Sequence, residues 1–229
     1  MKIVKQAWIF EDKINYEEVL AKIERAGRTC YKSEDKMTKD SAEKFVKGII
    51  KSGHHSVIEH HNISVRIATD RGVTHEIVRH RLVSYSQEST RYCNYSKDQF
   101  GQEITVILPV WFYDIDCEKI NFLREYKVGD KNIKEDEYLE WWNGCYQTEQ
   151  SYFRLLKLGQ SPQQARTVLP NSLKTELVMT ANLREWRHFL NLRTSKAAHP
   201  QMRELALSML TGFAEALPVF FEDILEKEK

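Results

Sequence analysis

Apolar side chains recur along this chain at two spacings, and the alternation between them predicts a mixed α/β fold. Two short apolar clusters within residues 1–10 are typical of one or two strands. From Asn15 to Ala26 apolar positions recur at threes and fours, and Asn15 with Glu18 has the spacing of a capping box. A first helix is therefore predicted to begin just after Asn15.

The next stretch predicts a second helix, a strand and a third helix in succession. Helical spacing extends from about residue 40 to residue 52, and Gly53 follows in the position that glycine favours after a helix. Clean alternation from residue 62 to residue 69 predicts a half-buried strand. After a turn at residues 70–72, we predict a helix over residues 73–83.

The second half of the chain also predicts both strands and helices. Residues 104–108 form a strand candidate that ends before a proline, and residues 134–158 predict a long helix. The apolar residues from 110 to 132 follow no clear helical or strand spacing. Within residues 161–170, Pro162 stands at a helix-start position. Residues 175–181 predict a strand, residues 182–193 a helix, and Pro200 opens a final helix.

Composition and charge place this pattern in a single α/β domain spanning residues 1–229. With 229 residues and 41% hydrophobic residues, the chain is long enough for one sizeable core, and it has no linker or internal repeat. We expect a mostly antiparallel central sheet flanked by helices. No run approaches 18 consecutive apolar residues and the N-terminus lacks a signal core, so we expect a cytoplasmic protein without membrane association.

Charge and cysteine usage exclude several classes of protein. Lys and Arg number 34 against 33 Asp and Glu, which argues against a broad basic surface that coats nucleic acid. The four cysteines form no C-x-x-C pair and are expected to be reduced thiols. They are Cys30, Cys93, Cys117 and Cys145.

Residues 79–91 have the composition of an anion-binding site. Three arginines and four serine or threonine residues fall within this short stretch. Guanidinium groups offer planar pairs of donors to phosphate oxygens, and hydroxyl groups can satisfy the remaining lone pairs. On the predicted helix Arg79 and His80 share a face, whereas Arg81 points roughly 160° from Arg79. A solvated basic helix end is the structural alternative.

The same stretch resembles the signature R-H-R-x-x-S-x-x-x-x-S-x-R of the flavin-dependent thymidylate synthases. Three further segments resemble motifs of that family: G-H-x-S-x-x-E-H from Gly53, A-R-x-x-L-P from Ala165, and N-x-R-x-x-x-x-F-L-x-L-R from Asn182. Three positions depart from residues common in the family. They are Glu76 in place of Gln, Ser86 in place of Asn, and His188 in place of Asn.

The resemblance implies a complete reaction with its cofactors and partners. FAD reduced by NADPH would supply a hydride, methylenetetrahydrofolate would donate the carbon, and dUMP would become dTMP. A homotetramer with active sites at subunit interfaces is also implied. A redox cofactor is required on chemical grounds, because no amino-acid side chain supplies a hydride.

Site residues follow from the same resemblance. Those implied to bind dUMP are Glu76, Arg79, Gln87, Ser89, Arg91, Arg166 and Arg193. Those implied to bind FAD are His54, Ser56, Arg79, His80, Arg81, Gln87, Asn182, Arg184 and His188. Glu59 and His60 are implied to support the flavin loop.

We assign the catalytic role to Arg193, because a fixed cation beside the pyrimidine would stabilise negative charge on N3 and the neighbouring carbonyl. No thiol nucleophile is then needed, so Cys93, just beyond the arginine-rich motif, is predicted to be dispensable.

Two other functions stay open at this stage. A nucleic-acid-binding module would use the arginine-rich stretch with the 25 aromatic residues, although the net charge of +1 argues against it. A metal hydrolase would use the histidines of residues 54–61. Their spacing matches neither H-E-x-x-H nor H-x-x-E-H, so we expect no metal and no nucleic-acid partner.

Overall fold

The computed structural model describes residues 1–115 and 133–228, and within them it has the predicted mixture of helices and strands. The strands are β1 (Lys2–Val4), β2 (Ala7–Phe10), β3 (Asn62–Asp70), β4 (Ser84–Gln87), β5 (Thr105–Ile107) and β6 (Lys174–Asn182). The α-helices are α1 (Tyr16–Thr29), α2 (Ser41–Lys51), α3 (Arg71–Ile77), α4 (Ile133–Lys157), α5 (Pro162–Ala165), α6 (Leu183–Arg193), α7 (Pro200–Ala216) and α8 (Pro218–Leu225).

The main sheet has four antiparallel strands in the order β2-β3-β6-β4, and helices flank it. Side chains of β3 and β6 alternate between buried and partly exposed along their nine residues, as a period of two requires. Separately, β1 and β5 pair in parallel, with Lys2 opposite Thr105 and Val4 opposite Ile107. The predicted fold class is confirmed.

Contacts between residues divide the chain into two compact units. The first unit comprises Met1–Gln6, Ala68–His75 and the described part of Gln87–Glu176. Its core contains the buried rings of Tyr95 and Tyr152, with centroids 5.8 Å apart. The single-domain organisation stays a prediction.

The second unit comprises Ala7–Ile67, Glu76–Ser86 and the described part of Leu177–Lys229. Its core is aromatic: the ring of Phe213 on α7 lies 4.9 Å from that of Trp186 on α6 and 4.9 Å from that of Phe10 on β2. Gly212 lets α7 approach β2 closely, since a Cβ at this position would lie 2.4 Å from the Trp8 ring. This core fixes α6, which carries much of the candidate site.

Several predicted boundaries agree closely with the structure. The Asn15 side chain accepts the N–H of Glu18 at 3.3 Å and so caps α1. The long helix, the strand before α6 and the proline-initiated helices are present near their predicted positions. Unpaired thiols are confirmed for Cys30, Cys93 and Cys145, while Cys117 and most of the open stretch 110–132 lie outside the described residues.

The predicted helix over residues 73–83 is wrong, because α3 ends at Ile77 and residues 84–87 form β4. The N–H of His80 donates to the carbonyl of Ile77 at 3.2 Å, a tight turn that ends the helix. The Tyr85 hydroxyl then donates to the carbonyls of Ile77 and His80, at 2.7 and 3.0 Å. The helical angle between Arg79 and Arg81 therefore does not apply.

No helix among residues 1–115 and 133–228 is both long and apolar enough to cross a membrane.

Candidate functional site

Arg193, at the last position of α6, is held by three hydrogen bonds in the second unit. One terminal nitrogen donates to the Glu76 carboxylate at 2.9 Å, and the other donates to the Glu76 carbonyl at 2.8 Å. Its Nε donates to Nε2 of His80 at 3.2 Å. The Arg193 side chain is only 15% exposed. These contacts occupy three of the five guanidinium donors and fix the plane of the group.

His80 is buried between Arg193 and Glu185, and its two partners determine its tautomer. Since Nε2 accepts from Arg193, the ring proton lies on Nδ1, which donates to the Glu185 carboxylate at 3.2 Å. Burial lowers the pKa of His80, and the Arg193 charge lowers it further against the opposing effect of Glu185. His80 is therefore neutral, and its two hydrogen bonds connect Glu185 to Arg193 and orient the Arg193 side chain.

The ligand atoms of His80, Glu185 and His188 lie within 4.8 Å of one another, which is close enough to hold a metal ion. However, both ring nitrogens of His80 already have hydrogen-bond partners, and the permanent cation of Arg193 lies beside the group. The arrangement therefore favours a positioning network over a cation site. This group was not anticipated, since the metal alternative concerned residues 54–61.

A cavity of about 700 Å³ opens beside this network, and three predicted FAD residues line it. Its lining consists of Glu59, Leu82, Asn182, Arg184, Glu185 and His188. Arg184 donates to Glu59 at 2.7 Å, and Asn182 accepts the N–H of Glu185 at 2.9 Å as the cap of α6. The cavity has the size of a cofactor pocket, with a largely exposed leucine and convergent polar groups, so these residues fit a flavin.

Sequence reasoning missed Glu185 and Leu82 in this cavity. Glu185 lies three residues after Asn182 and three before His188, a spacing that places all three on one helix face. That spacing could have identified it.

Other predicted flavin residues lie elsewhere in the second unit. His54 precedes a short 3₁₀ helix, His55–His60, and lines a different cavity beside α2. Ser56 is exposed on that 3₁₀ helix, and Arg79 and Arg81 are exposed in the turn after α3. The second unit thus brings Asn182, Arg184 and His188 together around one cavity but leaves these four outside its lining.

The remaining predicted site residues lie in the first unit. Gln87 donates through its amide to Thr74 at 3.1 Å, and Arg166 donates to the buried Thr90 at 3.2 Å. The Ser89 hydroxyl accepts the backbone N–H of Arg91 at 3.3 Å. Predicted dUMP residues are therefore divided between the units, and every ligand assignment stays a prediction.

Comparison with known proteins gives a consistent set of matches. The family model described as "Thymidylate synthase complementing protein" matches residues 14–219. A flavin-dependent thymidylate synthase from Corynebacterium aurimucosum is 32% identical over 219 residues, which cover 94% of this chain and 83% of that protein. One from Mycobacterium tuberculosis is 35% identical over 206 residues, covering 89% and 78%.

A solved structure also has the same fold. It is a UMP/dUMP methylase, PolB, from Streptomyces cacaoi bound with 5-Br UMP. The TM-score is 0.71 at 21% identity, with 99% of this chain and 96% of the other covered.

Proposed function

This chain belongs to the flavin-dependent thymidylate synthase family, and we propose that it converts dUMP to dTMP with FAD, methylenetetrahydrofolate and NADPH. Family membership makes it an enzyme of flavin-dependent thymidylate synthesis. The choice of NADPH as reductant, the folate donor and a homotetrameric assembly are the finer parts of this proposal.

The fixed position of Arg193 is the observation that best supports this chemistry. Methylation at C5 requires electron density to move from N3 and its neighbouring carbonyl toward C5. Two N–H groups of Arg193 remain available after its three contacts within the second unit. A cation fixed in advance stabilises developing negative charge without reorganisation, which is the main source of electrostatic catalysis.

A bound flavin would supply the hydride that the side chains cannot. Asn182, Arg184 and His188 would hold it in the 700 Å³ cavity, with Arg184 positioned by Glu59. Gln87, Ser89, Arg91 and Arg166 would bind the nucleotide, since their donors suit a phosphate and a pyrimidine.

The test is an anaerobic visible absorption spectrum of the purified protein with NADPH, with and without dUMP, followed by product analysis. We expect a flavin spectrum that bleaches on reduction and responds to dUMP, and dTMP formation once methylenetetrahydrofolate is added. A protein that cannot be reconstituted with FAD, or that forms no dTMP when reduced and supplied with all substrates, would contradict the proposal.

A further inference from the structure

A second cavity in the second unit, of about 500 Å³, combines cationic groups with an apolar surface. It lies between the end of α1, the short 3₁₀ helix Glu34–Lys36 and α2. Its lining consists of Arg28, Lys36, Ser41, Lys44, Phe45, Gly48, Ile49, Ser52 and His54. The lining includes three cationic side chains and no carboxylate, so its charge is complementary to that of an anion.

The three cations differ in how they are held. Arg28 is fixed by Glu24, which accepts from its Nε and Nη2 at 3.1 and 2.8 Å and offsets part of its charge. The Glu24 carboxylate also accepts the Ser41 hydroxyl at 2.8 Å. Lys36 and Lys44 make no ion pair with any of the described residues. Their ammonium groups are therefore the charges available to a ligand.

The apolar part of the cavity is rigid. The Arg28 guanidinium lies 4.6 Å from the Phe45 ring centroid, and a Cβ on Gly27 would lie 2.6 Å from that ring. Phe45 is thus confined by α1, and with Ile49 it forms the apolar part of the lining.

Gly48 keeps the cavity open from within α2. Nothing lies within 4 Å of the position that its Cβ would take. Glycine destabilises a helix interior relative to alanine, so its presence here has a local cost that no packing contact explains. Without a side chain, Gly48 leaves this part of the cavity lining unobstructed.

We propose that this cavity binds the p-aminobenzoyl-glutamate tail of the folate, with the aromatic ring on Phe45 and Ile49 and the glutamate carboxylates at Lys36 and Lys44. This inference rests on the proposed function, which makes a folate the carbon donor. An aromatic ring followed by carboxylates matches an apolar surface bordered by cations. His54, which the family resemblance implies to be a flavin residue, also lines this cavity. NADPH also combines aromatic rings with anionic groups, and the test must separate the two.

The experiment measures equilibrium binding of p-aminobenzoyl-triglutamate and p-aminobenzoyl-monoglutamate by calorimetry, at low and high salt. We compare wild type, Lys36→Ala/Lys44→Ala and Lys47→Ala, the last being an exposed lysine of α2 outside the cavity. The double variant should bind the triglutamate about fivefold more weakly, with a smaller salt dependence. Lys47→Ala should bind like wild type.

Gly48→Leu provides a second, steric test. It should weaken binding of both probes while leaving thermal stability unchanged or raised, because leucine is the better helix former. In turnover assays both variants should raise KM for the folate and leave KM for NADPH unchanged.

Equal probe affinity in wild type and the double variant would overturn the inference, as would a rise in KM confined to NADPH. Probe binding does not require turnover. A wild type that forms no dTMP would therefore contradict the proposed function, while the probe titration would still decide whether this cavity takes the tail.

Discussion

At the scale of single residues, the predicted catalytic residue Arg193 contacts Glu76, which stands where the family resemblance implies a Gln. A carboxylate here bonds the guanidinium that the family resemblance places beside the pyrimidine. It positions Arg193 but also offsets its charge. Glu76→Gln would keep an acceptor for Arg193 while removing that compensating charge.

We predict that Arg193→Lys lowers kcat about 10²- to 10³-fold, because a lysine cannot reproduce three directed hydrogen bonds and a fixed plane. Glu76→Gln should change kcat much less, since the amide oxygen still accepts from Arg193. Steady-state kinetics with saturating dUMP checks both variants, and circular dichroism controls for folding. A larger loss in Glu76→Gln than in Arg193→Lys would show that the carboxylate itself is required.

His80 predicts a pH dependence of stability. Burial lowers its pKa in the folded protein below the value of about 6.5 expected in the unfolded chain. Above that pH, His80 is neutral in both the folded and the unfolded state, and its contribution to stability is fully present. As the pH falls below it, His80 in the unfolded chain binds a proton first. The free energy of unfolding then decreases until the pH reaches the pKa of His80 in the folded protein.

Urea unfolding at pH 7.5, 6.5 and 5.5 should therefore give a falling free energy of unfolding, with a shallower fall in His80→Asn. Burial also lowers the pKa of His61, so His61→Asn should reduce the slope separately. Slopes equal to that of wild type in both variants would contradict this account.

Cys93 illustrates a residue whose position in the sequence suggests more chemistry than its surroundings allow. Burial raises the pKa of this thiol, and the nearby Glu88 carboxylate raises it further. Little thiolate then forms near neutral pH. We predict that Cys93→Ala retains dTMP synthesis within about twofold of wild type, measured with flavin content as the control. A folded, flavin-bound variant without activity would refute this.

At the scale of elements, α6 carries predicted site residues at both of its ends. Asn182 and Arg193 were both singled out from the sequence because they fall in a family motif, whereas the capping role of Asn182 is seen only in the structure. The early end of α3 was not predictable from local pattern. The basic residues 79–81 are compatible with the last turn of a helix. Only the pairing of residues 84–87 with β6 fixes that segment as a strand. The spacing of Glu185 from Asn182 and His188 could be read from the sequence, but its contact with His80, 105 positions away in the chain, could not.

Asn182 has a structural role in α6 that must be separated from flavin binding. Asn182→Ala should lower the free energy of unfolding by about 1 kcal/mol through loss of the cap. Asn182→Asp should restore that stability, since aspartate caps equally well and suits the helix N-terminus. Chemical denaturation measures both, and flavin titration of Asn182→Asp then reports the cofactor contact alone. Equal stability of wild type and Asn182→Ala would show that the cap contributes nothing.

At the scale of the whole molecule, the predicted site residues are divided between the two units. Arg193, Glu76 and His80 belong to the second unit, and Arg166 and Arg91 to the first. The family resemblance implies a homotetramer whose sites combine residues of different chains, and this arrangement has a direct experimental signature.

Two inactive variants should complement each other if a site takes its Arg193 and its Arg166 from different chains. After subunit exchange between Arg193→Ala and Arg166→Ala proteins, about a quarter of the sites would have both arginines, so about a quarter of wild-type activity should return. Mixing Arg193→Ala with His80→Ala should restore none, because these two residues contact each other within one chain. Size-exclusion chromatography with differently tagged variants verifies that mixed oligomers form. Mixed oligomers without recovered activity would mean that both arginines of a site come from a single chain.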